Sequence, residues 1–159
     1  MKILGKCLCG SITINCTNEP VKTVNCHCTM CRKVSGAAYS TFAMFLKNHV
    51  RVMGNSETHF SSSTLATRSF CSKCGSNTQF NYAGKHEYVY LPVGLFDPAV
   101  AIHPQENWYA STKLHWISDC NNLPEYEELP NGWTDNLEIN QYWTPTIWSG
   151  PSWGCPSPY

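Results

Sequence analysis

Three thiols stand within six residues in the stretch NCHCTMCRK, at Cys26, Cys28 and Cys31, with Arg32 and Lys33 directly behind the third. Such vicinal spacing suits metal chelation better than disulfide formation. Two further clusters, Cys7 and Cys9 in CLCG and Cys71 and Cys74 in CSKCGS, account for seven of the chain's ten cysteines. On an extended segment Cys7 and Cys9 point the same way across Leu8, and C-x-x-C-G is a turn used as a zinc knuckle. A redox reading of C-x-x-C expects a βαβ context, and none flanks Cys71.

Two partitions of the seven thiols are open. Either Cys7, Cys9, Cys71 and Cys74 close a tetrahedral site and leave Cys26, Cys28 and Cys31 as a three-thiolate site with an open position, or Cys28/Cys31 and Cys71/Cys74 form a ribbon and leave the others over. The 39 residues between Cys31 and Cys71 exceed the roughly 15 to 20 of a compact ribbon, which favours the first.

The elements that must position these thiols read as β-strands. SITINC alternates so that Ile12, Ile14 and Cys16 share a face, and AYSTFAMF, NTQFNYA and EYVYLPVGLF are rich in strand formers. Short runs punctuated by glycine predict a mainly β fold of short antiparallel strands with little helix. At 159 residues the chain is long enough for a core without disulfides. MKILGKCLCGSIT has no secretory h-region and no span-length apolar run, so a cytoplasmic protein is expected. Eleven basic residues against eleven acidic ones, with a pI near 7.0, argue against nucleic acid or an anionic membrane as partner. From about residue 131 to 159 the composition shifts to a tail with Trp143, Trp148 and Trp153 among prolines; disorder, docking or covering a cleft are its readings, and the zinc domain is assigned to residues 1–130.

CLCG at 7–10, CHCTMCRKVSG at 26–36 and CSKCGS at 71–76, in that order, resemble the glutathione-dependent formaldehyde-activating enzyme (GFA) family, which includes centromere protein V. The later VGLFDP and HPQENWYASTKLHWISDCNNLPEYEE are similar to that family's closing strands, so the likeness covers about residues 2 to 129. It implies a β-tent fold and two zinc ions per chain: structural zinc on Cys7, Cys9, Cys71 and Cys74, catalytic zinc on Cys26, Cys28 and Cys31. It also implies a carbon-sulfur lyase reaction that joins glutathione to formaldehyde. The tail has no counterpart there.

That chemistry suits the ligands. Zinc with three thiolates carries net negative charge, which disfavours water activation and suits a docking thiol. Arg32 and Lys33 are candidates to offset the added charge, Arg32 also as a carboxylate clamp. His27 is a candidate proton relay, although its place between two ligands points it outward. Cys16 reads as a buried hydrophobe; Cys120 and Cys155 are unassigned, and the other histidines lack metal-like spacing. A zinc-dependent hydrolase or lyase on another carbonyl, imine or thioadduct, and a non-catalytic zinc β-tent binding module, are the alternatives.

Overall fold

Runs of β-branched and aromatic residues fold into ten strands among the described residues of the computed structural model, which are 3–96 and 102–126. They are β1 (Ile3–Lys6), β2 (Thr13–Cys16), β3 (Lys22–Cys26), β4 (Ser40–Leu46), β5 (Val50–Met53), β6 (Glu57–Ser63), β7 (Ala66–Cys71), β8 (Asn77–Tyr82), β9 (Tyr88–Pro92) and β10 (Glu106–Trp108). One α-helix, α1 (Thr29–Ser35), and short 3-10 turns complete them. The chain divides into two units, Met1–Ile117 and Ser118–Tyr159. Only 118–126 of the second is described, largely as the end of a 3-10 stretch, His115–Asn122. The tail at 131–159 lies outside the described residues.

A three-stranded antiparallel sheet runs β1-β2-β5, and a seven-stranded sheet runs β10-β3-β4-β9-β8-β7-β6. Neighbours in the large sheet are antiparallel except β10, which lies parallel to β3 with Trp108 opposite Cys26. The mainly β fold of short antiparallel strands expected from the sequence is present, with this one parallel pair added. The exception follows from the long connection between β9 and β10, because parallel pairing needs a crossover rather than a hairpin.

Alternation distributes the large sheet's side chains to two different cores. Ala43 and Phe45 of β4 and Val89 and Leu91 of β9 pack with Ile3, Ile14 and Cys16 of the small sheet and with Leu95 and Phe96. On the opposite parity, Phe42 of β4 and Tyr90 of β9 gather with Val24, Cys26 and Cys31, and half-buried Phe80 and Trp108 pack against them. The alternating face Ile12, Ile14 and Cys16 is fully buried. One face of the sheet therefore joins the two sheets, and the other receives α1 and the thiols.

Phe45 is fully buried, with its ring 6.0 Å from that of Phe96. Phe45→Ala is expected to cost about 3 to 5 kcal/mol, read as a lower denaturant midpoint with an unchanged slope.

Candidate metal centres and active site

Two loops of the same design carry the first cysteine group. In one, the Cys7 N–H donates to Ile12 C=O at 3.0 Å and the Gly10 N–H returns to Cys7 C=O at 2.9 Å. In the other, the Cys71 N–H donates to Ser76 C=O at 2.9 Å and the Gly75 N–H returns to Cys71 C=O at 2.8 Å. Gly10 and Gly75 sit at φ 72 and 73, left-handed conformations that a side chain would strain. The extended Cys7-Leu8-Cys9 segment expected from the alternation is thus a turn, and it is the turn that brings both thiols to one side. The Leu8 N–H donates to Ser76 Oγ at 3.0 Å, tying the loops together.

Cys7, Cys9, Cys71 and Cys74 converge with all four sulfurs within 4.8 Å of one another. Cys9 Sγ lies 3.6 Å from Cys7 Sγ and 3.8 Å from Cys71 Sγ. Four sulfurs held about 2.3 Å from one zinc ion in a tetrahedron are about 3.8 Å apart, so the donor set and its spacing fit zinc. Ile12 N–H donates to Cys7 Sγ at 3.3 Å, a bond that favours a thiolate. Burial still pushes the Cys7 thiol up to about 12. Cys74 is also pushed up by burial, but bonds from Ser76 and Cys9 outweigh this and hold it near about 6.

The second group lies where β3 enters α1. Cys26 ends the strand, Cys28 caps the helix by accepting from the Cys31 N–H at 3.3 Å, and Cys31 is buried in its first turn. The three sulfurs lie within 4.8 Å of one another, and among the described residues of the first unit the group has no fourth His, Cys, Asp or Glu. Its bond with Cys31 holds the Cys26 thiol below the usual range, while that contact, together with burial, drives Cys31 above it.

The cation at this group is Arg68, which the sequence reading missed. Arg68 lies on β7, is only 5% exposed, and donates from Nη2 to Cys31 Sγ at 3.7 Å. Its Nε donates to Ser62 Oγ at 3.2 Å, and its guanidinium stacks 4.7 Å from the centre of the Phe80 ring. A charged residue at an inward position of the strand TRSFC was the available signal. Arg68 also lines a cavity of about 340 Å³ with Tyr39, Phe42, Asn77, Gln79 and Phe80. Ser35 and Ser40, on the same cavity, donate to Cys31 C=O at 2.9 and 3.1 Å.

His27, expected to point outward, is 1% exposed. The edge strand β10 covers it: its ring lies 5.1 Å from that of Tyr39, and Nε2 is 3.0 Å from Asn107 Oδ1. Asn107 Oδ1 also accepts from Asn25 Nδ2, whose own oxygen accepts from Thr41 Oγ1 at 2.8 Å. This order of donors assigns the His27 proton to Nε2 and leaves Nδ1 a buried acceptor without a partner. Arg32 is half-buried, its Nε without a hydrogen-bond partner, and Lys33 is exposed. Cys16 belongs to the core between the sheets, where burial raises its thiol to about 12. Cys120 is exposed within the second unit, and Cys155 lies outside the described residues.

A profile of glutathione-dependent formaldehyde-activating enzymes matches residues 2–112. The chain belongs to this family. An uncharacterized lyase of Schizosaccharomyces pombe is 32% identical to the chain over 113 residues, 66% of this chain and 82% of that protein. A crystal structure of a Rhodobacter sphaeroides protein, 22% identical, superposes with a TM-score of 0.53 over 66% of this chain and 98% of the other, and shares its fold. The family match spans all three cysteine clusters of this GFA chain and Arg68.

The two groups are expected to fail differently in this family member. Structural metal contributes on the order of 10 kcal/mol to small domains, so Cys71→Ala is expected to unfold or aggregate. Cys26→Ala is expected to stay folded and to lose one metal equivalent. Thermal melts and metal analysis check both, and equal destabilisation would refute the division of labour.

Proposed function

We propose that the chain is a zinc-dependent carbon-sulfur lyase/synthase of the glutathione-dependent formaldehyde-activating type, adding a thiol, glutathione foremost, to a small aldehyde at Cys26, Cys28 and Cys31. The observation that carries this reading is a group of three thiols, one short of a closed site, sharing Arg68 with a cavity. Family membership and the lyase name of the yeast relative support it. Cys7, Cys9, Cys71 and Cys74 hold the structural zinc in this reading.

A zinc ion held by Cys26, Cys28 and Cys31 would favour the thiolate of a docking thiol, which with a pKa near 8.5 is otherwise only a few per cent ionised at neutral pH. The protein supplies the surroundings. Val24, Phe42 and Tyr90 pack on Cys26 and Cys31, keeping water from one side of the sulfurs and strengthening charge interactions there. Arg68 offsets the negative charge of the thiolates. Arg32 remains a candidate clamp for a substrate carboxylate and Lys33 a surface cation beside it, while His27, buried under β10, holds its proton on Nε2 against Asn107. A hydrolase reading is weaker, because three thiolates leave the metal a poor acid for water.

The substrates are small molecules, and the balanced charge gives no attraction for nucleic acid. Among the described residues no helix is long and apolar enough to cross a membrane. A cytoplasmic location fits seven clustered, reduced thiols.

Metal analysis of the wild-type protein is expected to find two zinc equivalents. In the cobalt-substituted protein, glutathione should alter the absorption of one site only, and Cys26→Ala should abolish that response. Wild type should also speed the approach of glutathione and formaldehyde to S-(hydroxymethyl)glutathione, followed by exchange NMR. A single metal equivalent with no glutathione response would favour the binding-module reading.

A further inference from the structure

Arg68 is a buried guanidinium whose partners, among the described residues, include no carboxylate. Buried charges are ordinarily paired. Two of its N–H groups are engaged, one by Cys31 Sγ and one by Ser62 Oγ. The rest of the fork belongs to a side chain that lines the cavity.

Five other polar residues on that cavity are already committed to the protein. Ser35 and Ser40 donate to Cys31 C=O, Thr41 to Asn25 Oδ1, Asn77 to Val34 C=O at 3.1 Å and Gln79 to Glu57 Oε1 at 2.8 Å. These bonds point the lining's hydroxyls and amides at the scaffold. The Phe80 ring behind the guanidinium and Ser62 at its Nε fix the plane of the fork. A group fixed in this way, 3.7 Å from one of the thiols, is preorganised for charge that develops beside those thiols.

We propose that Arg68 is a catalytic residue, donating hydrogen bonds to the oxygen of the electrophile as carbon-sulfur bond formation places negative charge on it. The inference rests on the carbon-sulfur reading above and adds to it an oxyanion site supplied by β7. In the forward direction the substrate thiolate's lone pair forms the C–S bond and the carbonyl π pair moves onto oxygen. The resulting alkoxide, facing Arg68, takes a proton from solvent and replaces the one lost when the thiol ionised. In reverse the hydroxyl gives up its proton, the C=O bond reforms, and the C–S pair returns to sulfur. Thiol and aldehyde are the only reactants, and no electrons leave the pair.

The residue's position also sets the class of electrophile. Its oxygen must reach the guanidinium while its carbon meets the thiolate, which fits a carbonyl or other group that gains an oxyanion and excludes simple alkyl halides.

The test uses the full chain loaded with zinc. Arg68→Gln removes the charge, and Arg68→Lys keeps charge but loses the fork. Loss of one preorganised oxyanion donor costs about 100-fold or more in kcat. Arg68→Gln should show that loss and Arg68→Lys a smaller one, with both metal equivalents retained and the glutathione dissociation constant changed by less than about threefold. If Arg68→Gln proves unstable in thermal melts, the lysine variant carries the comparison alone. Metal content or glutathione affinity falling in step with activity would reduce Arg68 to a counter-ion and overturn the proposal, as would kcat within about twofold of wild type in Arg68→Lys. A wild type that does not speed hemithioacetal formation would overturn the carbon-sulfur reading, and this role with it.

Discussion

The fold depends on the junction of two loops that lie far apart in sequence. Cys7 and Cys9 sit in the turn that joins β1 to β2, and Cys71 and Cys74 in the turn that joins β7 to β8, so the four thiols couple the small sheet to the far end of the large one. Little else packs there: the cluster around Cys7, Ile12 and Cys71 is small, and four of its six members are the cysteines themselves. Three short strands gain independent stability only by packing their apolar face. A metal on the four thiols would hold that face against Ala43, Phe45, Val89 and Leu91. Two residues before Cys7 the backbone adds a tie of its own, with Gly5 bridged to Phe96.

A structure pinned in this way can leave its second thiol group free of structural duty. The two faces of the large sheet separate the tasks by parity of residue number. Odd-numbered positions of β4 and β9 build the core between the sheets, and even-numbered ones build the aromatic bed under Cys26 and Cys31. Phe80 and Tyr90, with ring centres 5.4 Å apart, extend this bed toward Arg68 and Trp108. Charge and aromatic surface arrive from strands at opposite ends of the order β10 to β7, and neither is adjacent in sequence to the thiols they surround.

What was legible in the sequence follows from range. Ligand clusters are local, so Cys26, Cys28 and Cys31 announce themselves by spacing, and the alternation of SITINC reports the buried face of Ile12, Ile14 and Cys16. Arg68 was not legible, because a cation in a strand is ordinarily solvated, and its burial depends on the facing of β7, Phe80 and α1. His27 was misjudged for a similar reason. Between two inward thiols it should face solvent, but β10 arrives 80 residues later in the chain and covers that side with Asn107. The Cys7–Gly10 turn was hidden by the same alternation rule that succeeded for β2, since C-x-C reads as a strand unless the left-handed glycine after it is given weight.

The separation of the four-thiol partners also imposes an order of assembly. Cys9 and Cys71 are 62 residues apart, whereas Cys26, Cys28 and Cys31 fit in a single loop and the turn of helix that follows it. At about 5 to 20 residues per second, synthesis of the intervening segment takes about 3 to 12 seconds. The local group is complete once Cys31 is made, for the last 40 of those 62 residues, while Cys7 and Cys9 form only half of theirs. In the proposed reading the chain would therefore offer its reactive thiols to metal before its architectural ones, and a shortage of metal during translation would fall on the second capture, the one that closes the two sheets.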